Sequence, residues 1–175
     1  MKGMKRLVPA LLLAGLAVGP AASQTSALKG HNSNAPVDVA ADRIEVQDRA
    51  DRAIFSGNVV VRQAELTLTA ARLTVAYSSG GGVELRRIDA TGGVVVKSPS
   101  ETARGNVGIY DLDRRIITLI GNVSLVQRDA KVNGGRLTID LDSGRAVMDG
   151  GGPPGTSSQG GRVTGTFTVP QKKGG

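Results

Sequence analysis

Phe55-Ser56-Gly57-Asn58-Val59-Val60-Val61 and Leu119-Ile120-Gly121-Asn122-Val123-Ser124-Leu125 are one phrase written twice. Gly57 and Gly121 stand 64 positions apart; at the same offset Gln63 returns as Gln127 and Arg72-Leu73-Thr74 as Arg136-Leu137-Thr138, with no gap. A fixed-period echo in β-type sequence marks one strand-turn-strand unit stacked several times, no unit being able to bury its apolar face alone. The expectation is an elongated β-structure, which turns the functional question from catalytic residues to what an apolar interior holds.

Working outward, a third glycine segment, Ala90-Thr91-Gly92-Gly93-Val94-Val95-Val96, lies between the two copies. Alternating with these are segments that start on a small residue: Ala41 to Val46, Ala71 to Val75, Ala103 to Ile109 and Gly135 to Ile139. Period-two alternation, as in Leu66-Thr67-Leu68 and Leu73-Thr74-Val75, dominates, and β-branched residues supply most of the apolar face. Stretches rich in Asp, Asn, Gly and Ser, such as Asp48 to Asp51 and Asp111 to Arg115, read as turns. The chain therefore reads as all-β with short strands. Gly57, Gly93 and Gly121 read as bulges or corners, because no following helix or lysine-bearing loop makes them a phosphate cradle.

The ends read differently. Lys2, Lys5 and Arg6 precede an apolar run from Leu7 to Val18, and small residues follow at Gly19, Ala21, Ala22 and Ser23. Charge, short apolar core and small-residue exit form a secretory signal pattern over residues 1–23, with an uncleaved anchor as the rival. The run falls short of the ~20 residues of a spanning helix. Residues 24–35 then read as a flexible segment, 36–148 as the β-domain, 149–161 as a Gly/Pro/Ser-rich linker, 162–170 as a terminal strand and 171–175 as a disordered tail. Without the three leader cations, 19 basic face 15 acidic residues, a scattered excess of +4.

Little here supports catalysis. Cysteine is absent and His31 is the lone histidine, which leaves no thiol nucleophile, histidine triad or thiolate metal site, and no cofactor is expected. Asp111 with Asp113, and Asp140 with Asp142, sit beside turns, where Asp commonly bonds local backbone. An aromatic content of 2% offers no stacking platform for sugars or single-stranded nucleic acid. The alternation instead marks an inward-facing set: Val37, Val39, Phe55, Val59, Val61, Leu66, Leu68, Leu73, Val75, Val94, Val96, Val107, Ile109, Leu119, Val123, Leu125, Leu137 and Ile139. These form either a packed core or the lining of a groove between incompletely closed sheets, where acyl chains would bury at ~0.8 kcal/mol per methylene. Alternation does not distinguish the two.

Pro36-Val37-Asp38-Val39, the paired Gly-Asn-Val strands, Ala70 to Val75, Gly134 to Ile139 and the closing Arg162 to Pro170 together resemble the LptA/OstA family. The likeness covers roughly residues 36–150 plus the terminal strand. It implies a twisted open β-jelly roll, or slit barrel, of stacked antiparallel strands in the periplasm. It also implies a lipopolysaccharide cargo, whose lipid A acyl chains shelter inside, and head-to-tail assembly with itself. An LptC-like inner-membrane component and an LptD-like outer-membrane component are the further implied partners, and no chemistry is performed. The family's lipid-contacting aliphatic after the first proline falls on Val37, with Val39 next on the same face. Val94-Val95-Val96-Lys97 carries no counterpart of the family's interior aromatic, and the Gly/Pro-rich linker is a second departure. Arg43, Arg62, Arg72, Arg104 and Arg136 are candidates to meet lipid phosphates at a groove rim. The competing readings are a membrane-tethered LptC-like component and a cargo-free structural β-solenoid polymer.

Overall fold

The computed structural model describes residues 31–78, 80, 82–150 and 161–168. The expected leader, most of the linker and the last residues lie outside these. Ten strands follow one another: β1 (Val37–Ala40), β2 (Arg43–Gln47), β3 (Arg52–Gln63), β4 (Leu66–Ser78), β5 (Glu84–Lys97), β6 (Glu101–Asp111), β7 (Ile116–Gln127), β8 (Ala130–Asp140), β9 (Arg145–Asp149) and β10 (Thr164–Phe167). A 3-10 turn at Asp48–Ala50 is the single helical element among them. All pairings are antiparallel, in the order β1-β3-β4-β5-β6-β7-β8-β10, with β2 also on β3 and β9 also on β8.

The six central strands run 11 to 14 residues, so the short strands expected from the sequence are halves of long bent ones. Every central ladder shifts register near its middle, at Ser56/Val59, Thr69/Arg72, Thr91/Val94, Arg104/Val107 and Ile120/Val123 in turn, and β4–β5 shifts a second time at Ala76/Tyr77. Gly57-Asn58, Gly92-Gly93 and Gly121-Asn122 sit at these shifts with both residues of each pair at positive φ. A line of bulges bends every strand at one place and folds the sheet on itself. One arm carries β2, β9 and the segments near Phe55, Leu73, Ile88, Tyr110, Leu119 and Ile139. The other carries β1, β10 and those near Val61, Leu66, Val96, Ala103 and Leu125. Inward residues of both arms form one continuous core, with Leu73, Ile88, Leu119, Leu137 and Ile139 fully buried, each contributing about 1.5–3 kcal/mol of burial.

The bulges also explain the period. Gly57, Gly92 and Gly121 are equivalent points in alternate strands, spaced 35 and then 29 positions because β4, its connection and the start of β5 are longer than their counterparts. The 64-residue echo is thus two hairpin units; the single unit is hidden by unequal length.

Opposite the bulged strands, the partner strand slips phase. Inward positions on β4 step from Leu66, Leu68 and Ala70 to Leu73 and Val75, and on β6 from Glu101, Ala103 and Gly105 to Gly108 and Tyr110. Val107 and Ile109 are therefore on the outer face, which corrects their assignment to the inward set. Val107 pairs with outward Thr91 and Ile120, and Ile109 with Asp89 and Thr118; directly opposed residues share a face. Val107-Gly108-Ile109 is a strand, as its alternation predicts, but its phase belongs to the ladder.

Candidate functional site

The interior is a slit between the arms. Val59, Val61, Leu66, Leu73, Val75, Val94, Val96, Leu119, Val123, Leu137 and Ile139 are buried on its walls. Val37, Val39, Phe55, Leu68 and Leu125 are half-buried and pack against that core. Ile88, Ile117 and Tyr110 also line the slit and were missed. Ile117 stands two residues before Leu119, a signal the alternation did contain. Tyr110 carried none, since its phase depends on the slip in β6. Gly108 leaves room beside these lining residues: a Cβ there would meet Val94 Cγ1 at 2.9 Å and Cδ2 of Leu119, its ladder partner on β7, at 3.2 Å. The missing side chain of Gly108 is the space into which Leu119 and Val94 pack.

Openness varies along the slit. At the β1/β2 end a cavity of about 590 Å³ lies between Val37 and Val39 on one arm and Val46, Phe55, Val75, Tyr77 and Leu85 on the other. At the β9/β10 end about 150 Å³ remains among Leu125, Val132, Leu137, Ala146 and Met148. In the middle, where Val61 and Leu66 meet Ile88, Tyr110, Ile117 and Leu119, only about 30 Å³ is free. The inward rows run on past the covered core at the β2 end: Ile44 opposes Phe55 and Val46 opposes Ala53, yet they are 56% and 57% exposed.

Polar groups gather at the seam between the arms. His31, whose side chain is wholly inaccessible, brings Nε2 to 3.1 Å from Gln63 Oε1 and Nδ1 to 3.3 Å from Glu65 Oε1. Gln63 Nε2 donates to the carbonyls of Ser33 and Ala35, and the Tyr110 hydroxyl donates to Gln63 Oε1 at 3.2 Å. Burial raises the Tyr110 phenol above its ordinary value, with Ser33 and Arg115 pulling the other way. Residues 31–35, expected to be flexible, are held here by these bonds. At the far end Glu101 is buried and accepts from Gln127 Nε2 at 2.5 Å. The five arginines expected at a groove rim instead share rows with outward residues. Arg43 and Arg72 flank Ser56, Arg62 opposes Thr67, Arg104 opposes Val95 and Arg136 opposes Ile120. Among the described residues no group of three or more His, Asp or Glu is placed to hold a metal.

A folded-over antiparallel sheet with an apolar slit, wider at both ends than in the middle, defines an open β-groove protein. The sequence model for the LptA/(LptD N-terminal domain) LPS transport proteins matches residues 38–145, most of the described sheet. An uncharacterised protein of Rhizobium meliloti is 32% identical over 159 residues, covering 82% of this chain and 86% of its own. The lipopolysaccharide export system protein LptA of Haemophilus influenzae is 25% identical, covering 75% and 80%. The LPS-assembly protein LptD of Yersinia pestis is 35% identical over 88 residues, which is 49% of this chain and 11% of that one. Among solved structures, LptH, the LptA-homologous periplasmic component of the lipopolysaccharide transport device of Pseudomonas aeruginosa, has the same fold. It superimposes with a TM-score of 0.69 at 18% identity, over 79% of this chain and 99% of its own. The chain belongs to the LptA/LptD N-terminal family of lipopolysaccharide transport proteins, a family of transport proteins and not of enzymes.

Proposed function

We propose that this chain is a periplasmic bridge protein that holds the lipid A acyl chains of lipopolysaccharide between its two arms and relays them from the inner to the outer membrane. The observation that carries the reading is that the apolar slit opens at both ends of the strand stack. The end strands there pair on one side only among the described residues, and Ile44 and Val46 continue the inward rows without cover. An edge of this kind is an unfinished sheet, and adding a second copy or a related transport component would continue both ladder and groove. Copies of this chain, an LptC-like component at one end and an LptD-like component at the other are the partners so implied. Acyl chains would gain ~0.8 kcal/mol per buried methylene in such a groove.

Site-specific photo-crosslinking to radiolabelled lipopolysaccharide tests this, with the photoreactive residue at Val37, Val61 or Val75 and with outward controls at Thr74 and Val107. Adducts at the first three and none at the controls are expected. A folded protein that gives no adduct at any inward position would favour the cargo-free polymer, for which the narrow middle of the slit speaks.

A further inference from the structure

Residues 31–35 cross the seam of the slit at its narrowest point, and we propose that they form a latch, with Gln63 and Tyr110, that must open before cargo passes through the middle. The inference rests on the cargo reading above but concerns a different element.

Gln63 ends β3 in one arm and Tyr110 nears the end of β6 in the other. The Gln63 amide is used completely: its two N–H groups go to the Ser33 and Ala35 carbonyls, at 2.9 and 3.0 Å. Those bonds fix which end is oxygen, and that oxygen accepts from Tyr110 and from His31 Nε2–H. The strap is tied a second time to the Tyr110 arm, where Arg115 Nη2 donates to Asn34 Oδ1 at 3.3 Å. His31 Nδ1 faces Glu65, in the turn of the Gln63 arm. One short segment thus joins both arms.

The latch is built to come undone. Residues 31–36 belong to no ladder, and their own backbone bonds, Ser33 N–H to His31 O and Ala35 N–H to Asn32 O, are local. Release therefore breaks side-chain hydrogen bonds while the sheet stays whole. Beneath the latch the free space of about 30 Å³ has room for one or two water molecules, and a methylene chain does not pass. Val37 lines both this constriction and the wide cavity at the β1/β2 end, one residue beyond Pro36 and the strap. A chain seated in the wide end presses on Val37, and through it on the segment that holds the seam.

The closed latch and a threaded cargo exclude each other, so weakening the latch favours loading. A protein whose competent state is rarely populated binds with an affinity reduced by that fraction, and destabilising the closed state returns the loss. Tyr110→Phe deletes one hydroxyl and keeps the ring, and Asn34→Ala deletes one contact of an exposed residue. In the secreted full-length protein, Tyr110→Phe should bind fluorescent lipopolysaccharide about fivefold more tightly and faster, the equivalent of one buried hydrogen bond, and Asn34→Ala, which loses an exposed bond, about twofold, with dissociation unchanged in both. Cysteine is absent from the chain, so spin labels at Thr67→Cys and Thr118→Cys, on the outer faces of the two arms, report their separation without lipid. Tyr110→Phe should lengthen or broaden that distance. Unchanged distance together with equal or weaker binding in both variants would overturn the latch. Wild-type protein that binds no lipopolysaccharide, while the variants still lengthen the distance, would overturn the cargo reading and leave the latch standing.

Discussion

Gly108→Val and Ile109→Thr, adjacent substitutions on β6, should have opposite consequences, because the ladder turns Gly108 toward the slit and Ile109 away from it. A Cβ at Gly108 alone would stand 2.9 Å from Val94 Cγ1 and 3.2 Å from Leu119 Cδ2, and both neighbours are at most 1% exposed. Val94 is β-branched and has no flexible end to swing aside. Overpacking of this kind costs about 1–3 kcal/mol, and two further methyl groups put valine at the upper end. Losing a glycine from the unfolded chain offsets about 0.4–1 kcal/mol, which leaves a net loss of about 2 kcal/mol. Ile109 lies between Asp89 and Thr118 on the outer face, and Ile109→Thr should cost less than about 1 kcal/mol. Urea unfolding followed by far-UV circular dichroism reads the difference in a chain without tryptophan. For an m-value of about 2 kcal/mol/M, the Gly108→Val midpoint should fall by about 1 M and the Ile109→Thr midpoint by less than half that. The opposite ranking would mean that β6 keeps one phase through Gly105 and Asn106, and that Val107 and Ile109 face the slit after all.

Gly92→Ala, at a φ of +84° and with its new Cβ 2.5 Å from that of Ala71, should cost more than the same change at Gly80, where nothing lies within 4 Å; thermal melts of both variants compare them. Asp140 accepts the Ser143 and Asp142 backbone N–H groups, and these bonds, Ser143's first, hold its carboxyl below the ordinary value. A lowered folded-state pKa gives stability that is present above about pH 4 and lost as pH falls through the folded value. Asp140→Asn, which cannot ionise, should therefore lower stability at neutral pH, approach the parent protein at low pH and so flatten the acid limb of a stability–pH curve. Val46→Lys, on the exposed end of an inward row, should reduce any end-to-end association in light scattering while leaving the monomer's melting temperature within about 2 °C. Unaltered association would remove β2 from the assembling edge.

Alternation of apolar and β-branched residues, with turns at regular intervals, was enough by itself to settle the all-β class. Paired Gly-Asn and Gly-Gly steps were likewise enough to locate the bends, because two successive residues at positive φ are cheap only for such pairs. Most of the slit's lining follows from the same local rule: within a half-strand, side chains alternate faces whatever the partner does. What the tertiary structure decided is everything that depends on a neighbour. The phase of β6 after Gly105 is set by its register with β5 and β7, so the strand Val107-Gly108-Ile109 could be read locally on either face. His31 appeared as an isolated polar residue because its partners lie 32 and 34 positions away, and Tyr110 reaches Gln63 across 47. Hydrogen bonds between arms that touch only after the sheet folds over leave no periodic mark in the chain, and neither does the packing of side chains from the two arms that narrows the middle of the slit.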